Sequence, residues 1–119
     1  MCRGVRGATT VTTNTKESIL EATKELLEAI ISANEIKLND VAATWLTTTS
    51  DLNAEFPAVA ARQIGWTDIP LLCGHEMEVG DALEKCIRAL VLVNTVKAQG
   101  ELVHVYLRDA VGLRKRGTS

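Results

Sequence analysis

Aromatic side chains and long apolar runs are scarce in this sequence, and positive charge is not in excess; each of these features argues against a class of protein. Phe, Trp and Tyr make up 3% of the 119 residues, too few for the stacking platforms that bind single-stranded nucleic acid. A net charge of −2 provides no basic domain for a phosphate backbone, so the basic cluster at 114–116 indicates a solvated terminus. No apolar run reaches the ~20 residues of a membrane span. We expect neither nucleic acid nor membrane as a partner.

The cysteine pattern and the N-terminus indicate a reducing compartment. The three cysteines, Cys2, Cys73 and Cys86, are odd in number and lack CxxC spacing, which argues against a disulfide framework. The first residues include no apolar segment of the kind that a secretory signal has. We therefore expect a cytoplasmic location.

Motifs for metals, nucleotides and covalent catalysis are missing. His75 and His104 are far apart and belong to no HxxxH arrangement, so a metal site is not predicted. No P-loop or GxGxxG segment supports a nucleotide cofactor. Cys73 has no base at a recognisable spacing, and a free cysteine usually behaves as a small buried apolar side chain. The sequence predicts no cofactor and no metal.

Hydrophobic periodicity predicts one α+β domain over residues 1–119, with a single mixed sheet and one long helix. The β-branched segment at 5–11 indicates the first strand. Apolar residues at helical spacing over 19–31 then indicate the helix. We expect Asn14 to cap it, with Glu17 as the capping-box partner, and Asn34 to end it as a left-handed cap.

Shorter elements complete the predicted domain. Pro57 is expected at the first position of a short helix, a position where its missing N–H costs nothing. The segment at 80–85 is read as a short helix or turn, and a final helical turn is expected near Ala110. Further strands are predicted at 40–49, 69–73, 86–96 and 102–107.

Arginines carry the functional signal. Arg3 and Arg6 lie three apart in a Gly- and Thr-rich opening, where solvated side chains are the simpler interpretation. Arg88, however, is embedded in an apolar strand, where a charge is costly without a partner. A guanidinium can grip a carboxylate through two parallel hydrogen bonds. The fixed cations and hydrogen-bonding groups, which suit a small dianion that bears a hydroxyl, are Arg6, Arg62, Cys73, Glu76, Arg88, Tyr106 and Arg114. From the residues alone, the prediction is an anion site with its function open.

Five segments in a fixed order resemble the AroH class of chorismate mutases. They are RGVRGATT at 3–10, DLNAEFPAVAAR at 51–62, CGHE at 73–76, KCIR at 85–88 and HVYLRDAVGLR at 104–114. The resemblance spans almost the whole chain. It implies a homotrimeric α+β domain with a pseudo-barrel and with active sites at the subunit interfaces. It also implies the [3,3] Claisen rearrangement of chorismate to prephenate in phenylalanine and tyrosine biosynthesis, without metal, redox cofactor or covalent intermediate.

The resemblance also implies a role for each motif residue. Arg88 would face the ether oxygen and one carboxylate of chorismate, and Arg6 would bind the other end of the substrate. Glu76 would hydrogen-bond the substrate hydroxyl and orient Arg88. The remaining implied substrate contacts are Cys73 at the hydroxyl, Tyr106 at a carboxylate, Phe56 as an apolar wall from the neighbouring subunit, and Arg62 and Arg114 as outer cations that attract the dianion and help to close the site.

Two departures and two alternatives accompany this resemblance. Val59 stands where some family members carry lysine, and the tail after Arg114 is short; both lower the expected substrate affinity.

One alternative is a RidA-like protein, a related trimeric architecture that acts on enamines or imines, although the RGVRGATT and KCIR pair has no reason to occur there. The other is a non-catalytic trimer that binds a small carboxylate. The complete set of polar groups that the mutase chemistry needs argues against that.

Overall fold

A mixed β-sheet organises the chain, as the sequence predicts. The computed structural model describes residues 1–80 and 82–116, with side chains to residue 113. In that part of the chain, five strands lie in the order β3-β2-β4-β1-β5. The central strand β4 runs antiparallel to both of its neighbours, while β2–β3 and β1–β5 are parallel pairs. The elements are β1 Cys2–Thr10, α1 Lys16–Asn34, β2 Val41–Thr48, α2 Pro57–Gln63, β3 Leu71–His75, β4 Cys86–Asn94, β5 Val105–Tyr106 and α3 Val111–Arg116.

The long helix α1 begins one residue later than its capping pattern predicts. Thr15 is the N-cap, and its hydroxyl accepts the Ser18 N–H at 3.1 Å. Asn14 is engaged elsewhere: its side-chain oxygen accepts the backbone N–H groups of Asn53 and Ala54, each at 3.1 Å. The expected Asn14 cap is therefore wrong, because this side chain ties two loops together. None of the described helices is long and apolar enough to cross a membrane.

The C-terminus of α1 also differs from the expected cap. Asn34 is the last helical residue, and Glu35 takes the left-handed conformation with φ 53°. The buried Asn34 amide donates to the Val103 carbonyl oxygen at 2.9 Å and accepts the Val103 N–H at 2.7 Å. The Asn34 side chain thus holds a distant loop, and the cap conformation passes to Glu35.

Two smaller elements differ from the sequence-based expectation. The last strand is limited to Val105–Tyr106. In a longer strand a backbone carbonyl would accept the N–H of Arg6 on β1, but the His104 ring nitrogen accepts it here. Strand β3 begins two residues late and extends to His75. The described residues at 80–85 form a turn and bends, which is the second of the two alternatives expected there. The short helix α2 does have Pro57 in its first turn, as predicted.

One face of the sheet packs against α1 and α2 and forms the main core. Val5 and Val91 on the sheet and Leu26 and Ile30 on α1 are fully buried there. Gly7 lies under α1, where an added Cβ would come 2.6 Å from Ile30 Cδ1. The absence of a side chain at Gly7 therefore sets how closely α1 approaches β1.

The opposite face of the sheet, called the open face below, presents a mixture of charged and large apolar side chains. Side chains alternate along a strand and paired residues share a face. Trp45 pairs with Leu72 on β3 and with Leu90 on β4, and Leu90 also pairs with Arg6 on β1. Trp45 is 40% exposed and Leu72 is 60% exposed. Arg88 belongs to the same face, one pair further along β4.

Candidate active site

An ion pair on the open face forms the centre of the candidate site. Arg88 on β4 donates from Nε to Glu76 Oε2 at 2.9 Å and from Nη2 to Glu76 Oε1 at 2.6 Å. The two parallel hydrogen bonds engage one whole edge of the planar guanidinium. The side chains are 34% and 22% exposed, respectively. This charge in an apolar strand therefore has the partner that its burial requires.

Strand β2 brings the two residues together. Thr47 lies directly opposite Arg88 in the antiparallel β2–β4 pair, so both side chains project from the open face. Glu76 follows the last residue of β3, and its N–H donates to the Thr48 carbonyl oxygen at 2.7 Å. The Thr47 hydroxyl donates to Glu76 Oε2. Glu76 is thus fixed to β2 through its backbone and through its carboxylate.

The electrostatics of the pair keep both groups charged. The hydrogen bonds from Arg88 lower the pKa of Glu76, against the opposing effect of burial, and the Thr47 hydroxyl lowers that pKa further. The hydrogen-bonded carboxylate of Glu76 raises the pKa of Arg88, again against burial. At neutral pH the site therefore holds a carboxylate and a guanidinium in contact.

A cavity of about 390 Å³ opens beside this pair. Arg6 contributes a second guanidinium, and Trp45 contributes the largest apolar wall. Its lining is completed by Gly7, Thr47, Glu76, Arg88, Ala89 and Leu90. The volume falls within the usual range for a small-molecule site. The two cations beside one hydrogen-bonded carboxylate suit an anion that also carries a hydroxyl.

Tyr106 approaches the same ion pair from the far side of β1. It pairs with Ala8, and Ala8 pairs with Arg88. Tyr106 also contributes to the electrostatic environment that raises the pKa of Arg88. Of the residues singled out from the sequence, Arg6, Glu76, Arg88 and Tyr106 therefore lie in one region.

Three of the other predicted site residues lie apart from that region within one chain. Phe56 and Cys73 line a separate cavity of about 470 Å³, together with Thr48 and His75. Cys73 packs against the main core. Arg62 is exposed on α2. Arg114 belongs to α3, but its side chain lies outside the described part of the structure.

Cys86 and the two histidines each have a local structural explanation. Burial raises the pKa of the Cys86 thiol to about 11, so Cys86 carries no thiolate at neutral pH. His75 and His104 remain distant in the fold: the His75 ring contacts the Thr48 hydroxyl, and the His104 ring accepts the Arg6 N–H. Over residues 1–80 and 82–113, no three His, Cys, Asp or Glu side chains form a group that could hold a metal ion.

The two residues that β2 contributes to the cavity were missed by sequence reasoning. Thr47 and Trp45 lie outside all five motifs, in a strand where threonine occurs at 44, 47, 48 and 49. Side chains alternate between the two faces of a strand, so Thr47 and Thr44 lie on opposite faces. Which of them lies on the open face is known only once the pairing of Thr47 with Arg88 is known. A single Trp in this strand was the one available signal, and it was equally consistent with core packing.

Comparisons with known proteins agree on one family. The family model described as chorismate mutase type I matches residues 2–116. A protein named Chorismate mutase AroH from Bacillus subtilis (strain 168) is 49% identical over 115 residues, which cover 96% of this chain and 91% of the relative. A protein of the same name from Thermus thermophilus is also 49% identical over 115 residues, 96% of this chain and 94% of the relative. A solved chorismate mutase structure from Clostridium thermocellum has a TM-score of 0.91 at 44% identity and covers 92% of this chain and 98% of its own.

Proposed function

Because this chain belongs to the chorismate mutase type I family, we propose that the cavity beside Arg88 and Glu76 is where it binds chorismate. The chain is an isomerase, a chorismate mutase, and its reaction converts chorismate to prephenate for aromatic amino acid synthesis. The observation that carries the site assignment is the double hydrogen bond between Arg88 and Glu76. It holds a guanidinium in a fixed plane beside a cavity of suitable volume.

The reaction asks the protein for positioning and charge stabilisation. In the [3,3] rearrangement a C–O bond of the substrate breaks while a C–C bond forms within the same molecule, so no proton or electron is exchanged with the protein. Negative charge develops on the ether oxygen as its bond to carbon lengthens. A cation that is already fixed beside that oxygen stabilises the transition state without the cost of reorganisation. We assign this role to Arg88.

Arg6, Glu76 and Tyr106 would hold the substrate in its reactive shape. Chorismate must adopt a compact conformer in which the two bond-forming carbons approach each other, and binding that conformer removes much of the entropic barrier. Arg6 lines the same cavity as Arg88 but comes from another strand, and it would bind a carboxylate of the substrate. Glu76 would accept a hydrogen bond from the substrate hydroxyl while it orients Arg88, and Tyr106 would donate to a carboxylate.

We further propose that the complete site lies between two subunits of a homotrimer. Two features support this arrangement. The open face leaves Trp45, Leu72 and Leu90 37–60% exposed, which is unusual for large apolar side chains clustered on one sheet face. In addition, Phe56 and Cys73 lie on a cavity away from the Arg88 region of their own chain. A head-to-tail ring would bring this second cavity of one subunit to the first cavity of the next.

Under this proposal the neighbouring subunit closes the site. Phe56, 68% exposed in the single chain, would form an apolar wall that excludes water, and Cys73 would contact the substrate hydroxyl. Arg62 and Arg114 would act as outer cations for the dianion. Val59, where the family resemblance implies lysine in some members, would leave this rim without one positive charge. A cytoplasmic location and a reaction without metal or cofactor remain predictions that accompany the proposal.

The proposal is tested by turnover and by competition. Purified protein should consume chorismate, followed as loss of its absorbance, and a rigid bicyclic ether dicarboxylate that mimics the transition state should compete for the same site. Arg88→Ala and Glu76→Gln proteins should lose affinity for that mimic while their sedimentation mass stays that of three chains. A protein that sediments as a single chain with full activity would refute the interface site, and unchanged mimic affinity in Arg88→Ala would refute the assigned cavity.

A further inference from the structure

We propose that Thr47 is a positioning residue for the rearrangement, whose hydroxyl fixes the Glu76 carboxylate in the orientation that holds the Arg88 guanidinium in its plane. This inference rests on the roles proposed above for Arg88 and Glu76. Thr47 belongs to none of the motifs that identify the family in this sequence. Its role follows from contacts that the fold creates.

The hydrogen bonds around the carboxylate explain why a third donor matters. Glu76 Oε2 accepts from Arg88 Nε at 2.9 Å and also from the Thr47 hydroxyl, while Oε1 accepts from Arg88 Nη2 at 2.6 Å. The terminal torsion of a glutamate side chain is intrinsically broad, so the carboxylate and the guanidinium could swing together as a pair. The hydroxyl on Oε2 comes from a different strand and prevents that joint rotation.

The backbone places this hydroxyl with little freedom. Thr47 is directly opposite Arg88 in the β2–β4 register, and the next residue, Thr48, accepts the Glu76 N–H at 2.7 Å. Glu76 is therefore held at two points by two successive residues of β2. Because threonine is β-branched, its χ1 rotamers are also restricted. The orientation of the ion pair is thus built into a central region of the sheet.

The charged surroundings predict how the loss of Thr47 would be observed. The Thr47 hydroxyl contributes to the lowered pKa of Glu76, so its removal raises that pKa toward the ordinary value. Activity that needs the carboxylate should then disappear at a higher pH on the acid side. The charged and titratable groups around the Glu76–Arg88 pair lie on several elements. Cys86 on β4 and Tyr106 on β5 act on Arg88, and Arg6 on β1 lines the same cavity as the pair. Asp51, Glu78 and Glu84 line a second cavity together with Glu76.

The decisive variant is Thr47→Val, which keeps the shape and removes the hydroxyl. We expect kcat to fall about tenfold, as for one hydrogen bond to a charged group, with a smaller change in KM and an acid limb displaced to higher pH. Thr47→Ser should restore both kcat and the pH profile. The matched control is Thr44→Val on the core face of the same strand. Thr44 is 1% exposed and its hydroxyl has no hydrogen-bond partner among the described residues, so kcat and the pH profile should not change.

A coupling measurement separates positioning from a general structural effect. In a Glu76→Gln background, Thr47→Val should cause far less than its tenfold loss, since the two residues act through the same contact. Full additivity of the two losses, or failure of Thr47→Ser to restore the pH profile, would overturn the proposal. If Thr47→Val does not fold, Thr47→Ala is subject to the same criteria.

Different results would overturn the proposed role of the ion pair and the proposed role of Thr47. If folded, trimeric Arg88→Ala keeps its kcat, the proposed function of the ion pair is wrong, whatever Thr47 does. If Arg88→Ala loses its activity while Thr47→Val matches the unsubstituted protein in kcat and pH profile, only the Thr47 proposal is overturned.

Discussion

Arg88 and Glu76 meet edge to edge, with Nε–Oε2 and Nη2–Oε1 distances of 2.9 and 2.6 Å. Twelve positions separate them in the sequence. Arg88 is on β4 and Glu76 directly follows β3, and β2 lies between these two strands. Neither side chain can turn by itself without breaking both hydrogen bonds. The pair therefore behaves as one unit, and the substitution of either residue tests the geometry of both.

Glu76→Gln should lower kcat by about 10–100-fold, the range expected when a hydrogen bond to a charged group is weakened. The amide keeps the size of the side chain, but it removes the charge and one of the two acceptors that align Arg88. The measurement is kcat from the loss of chorismate absorbance at saturating substrate.

The matched control for this substitution is Glu78→Gln. Glu78 lies two residues further along and accepts a hydrogen bond from the Ser50 hydroxyl, so its substitution makes the same chemical change outside the cavity. Glu78→Gln should keep its kcat. Equal losses in the two variants would contradict the role given to Glu76.

Acid should weaken the fold through the same carboxylate. The pKa of Glu76 is lower in the folded chain than its ordinary value of 4.5, so its contribution to stability is complete above that value. The contribution is lost as the pH falls through the lower, folded-state pKa. Urea midpoints measured between pH 7 and pH 3 at fixed protein concentration should therefore decline less steeply in Glu76→Gln. A decline of the same steepness in both proteins would show that Glu76 does not contribute.

Gly7→Ala should destabilise the fold by about 1–3 kcal/mol, the usual cost of an extra methyl group in a packed core. The new Cβ would lie 2.6 Å from Ile30 Cδ1 and 3.0 Å from Leu26 Cδ1, so α1 would have to shift away from β1. Gly4→Ala is the matched control, since its nearest neighbour would be 3.5 Å away. Urea unfolding of both variants measures the difference; equal midpoints would contradict the account of the close helix–sheet contact.

The fold was predictable where local pattern alone decides the structure. The apolar stripe of α1, the Pro57 start of α2 and the α+β class with one mixed sheet are all confirmed. The helix caps were not predictable, because Asn14 and Asn34 are occupied by loops 39 and 69 residues away. When a side chain hydrogen-bonds a residue far away in the sequence, the neighbouring residues do not reveal that bond.

The site was predictable in part. Four of the five motifs singled out Arg6, Glu76, Arg88 and Tyr106, and the structure brings these residues to one region of the open face. Thr47 and Trp45 required the strand register, since a threonine-rich strand does not reveal which hydroxyls share a face. Phe56 and Cys73 line another cavity, and whether they reach the active site depends on how the subunits assemble. The sequence of one chain does not directly show that assembly.

The central claim is that Arg88 stabilises charge that exists mainly in the transition state, and the kinetics of Arg88→Ala test it most directly. Loss of one preorganised donor of this kind typically costs about 10²–10³ in kcat, and we expect at least that loss while the protein keeps its fold and sedimentation mass. Arg88→Lys should also be poor, because an ammonium cannot reproduce the guanidinium fork. Arg62→Ala, on the exposed surface of α2, should instead raise KM with a smaller loss of kcat. A folded Arg88→Ala protein with near-normal kcat would contradict the account.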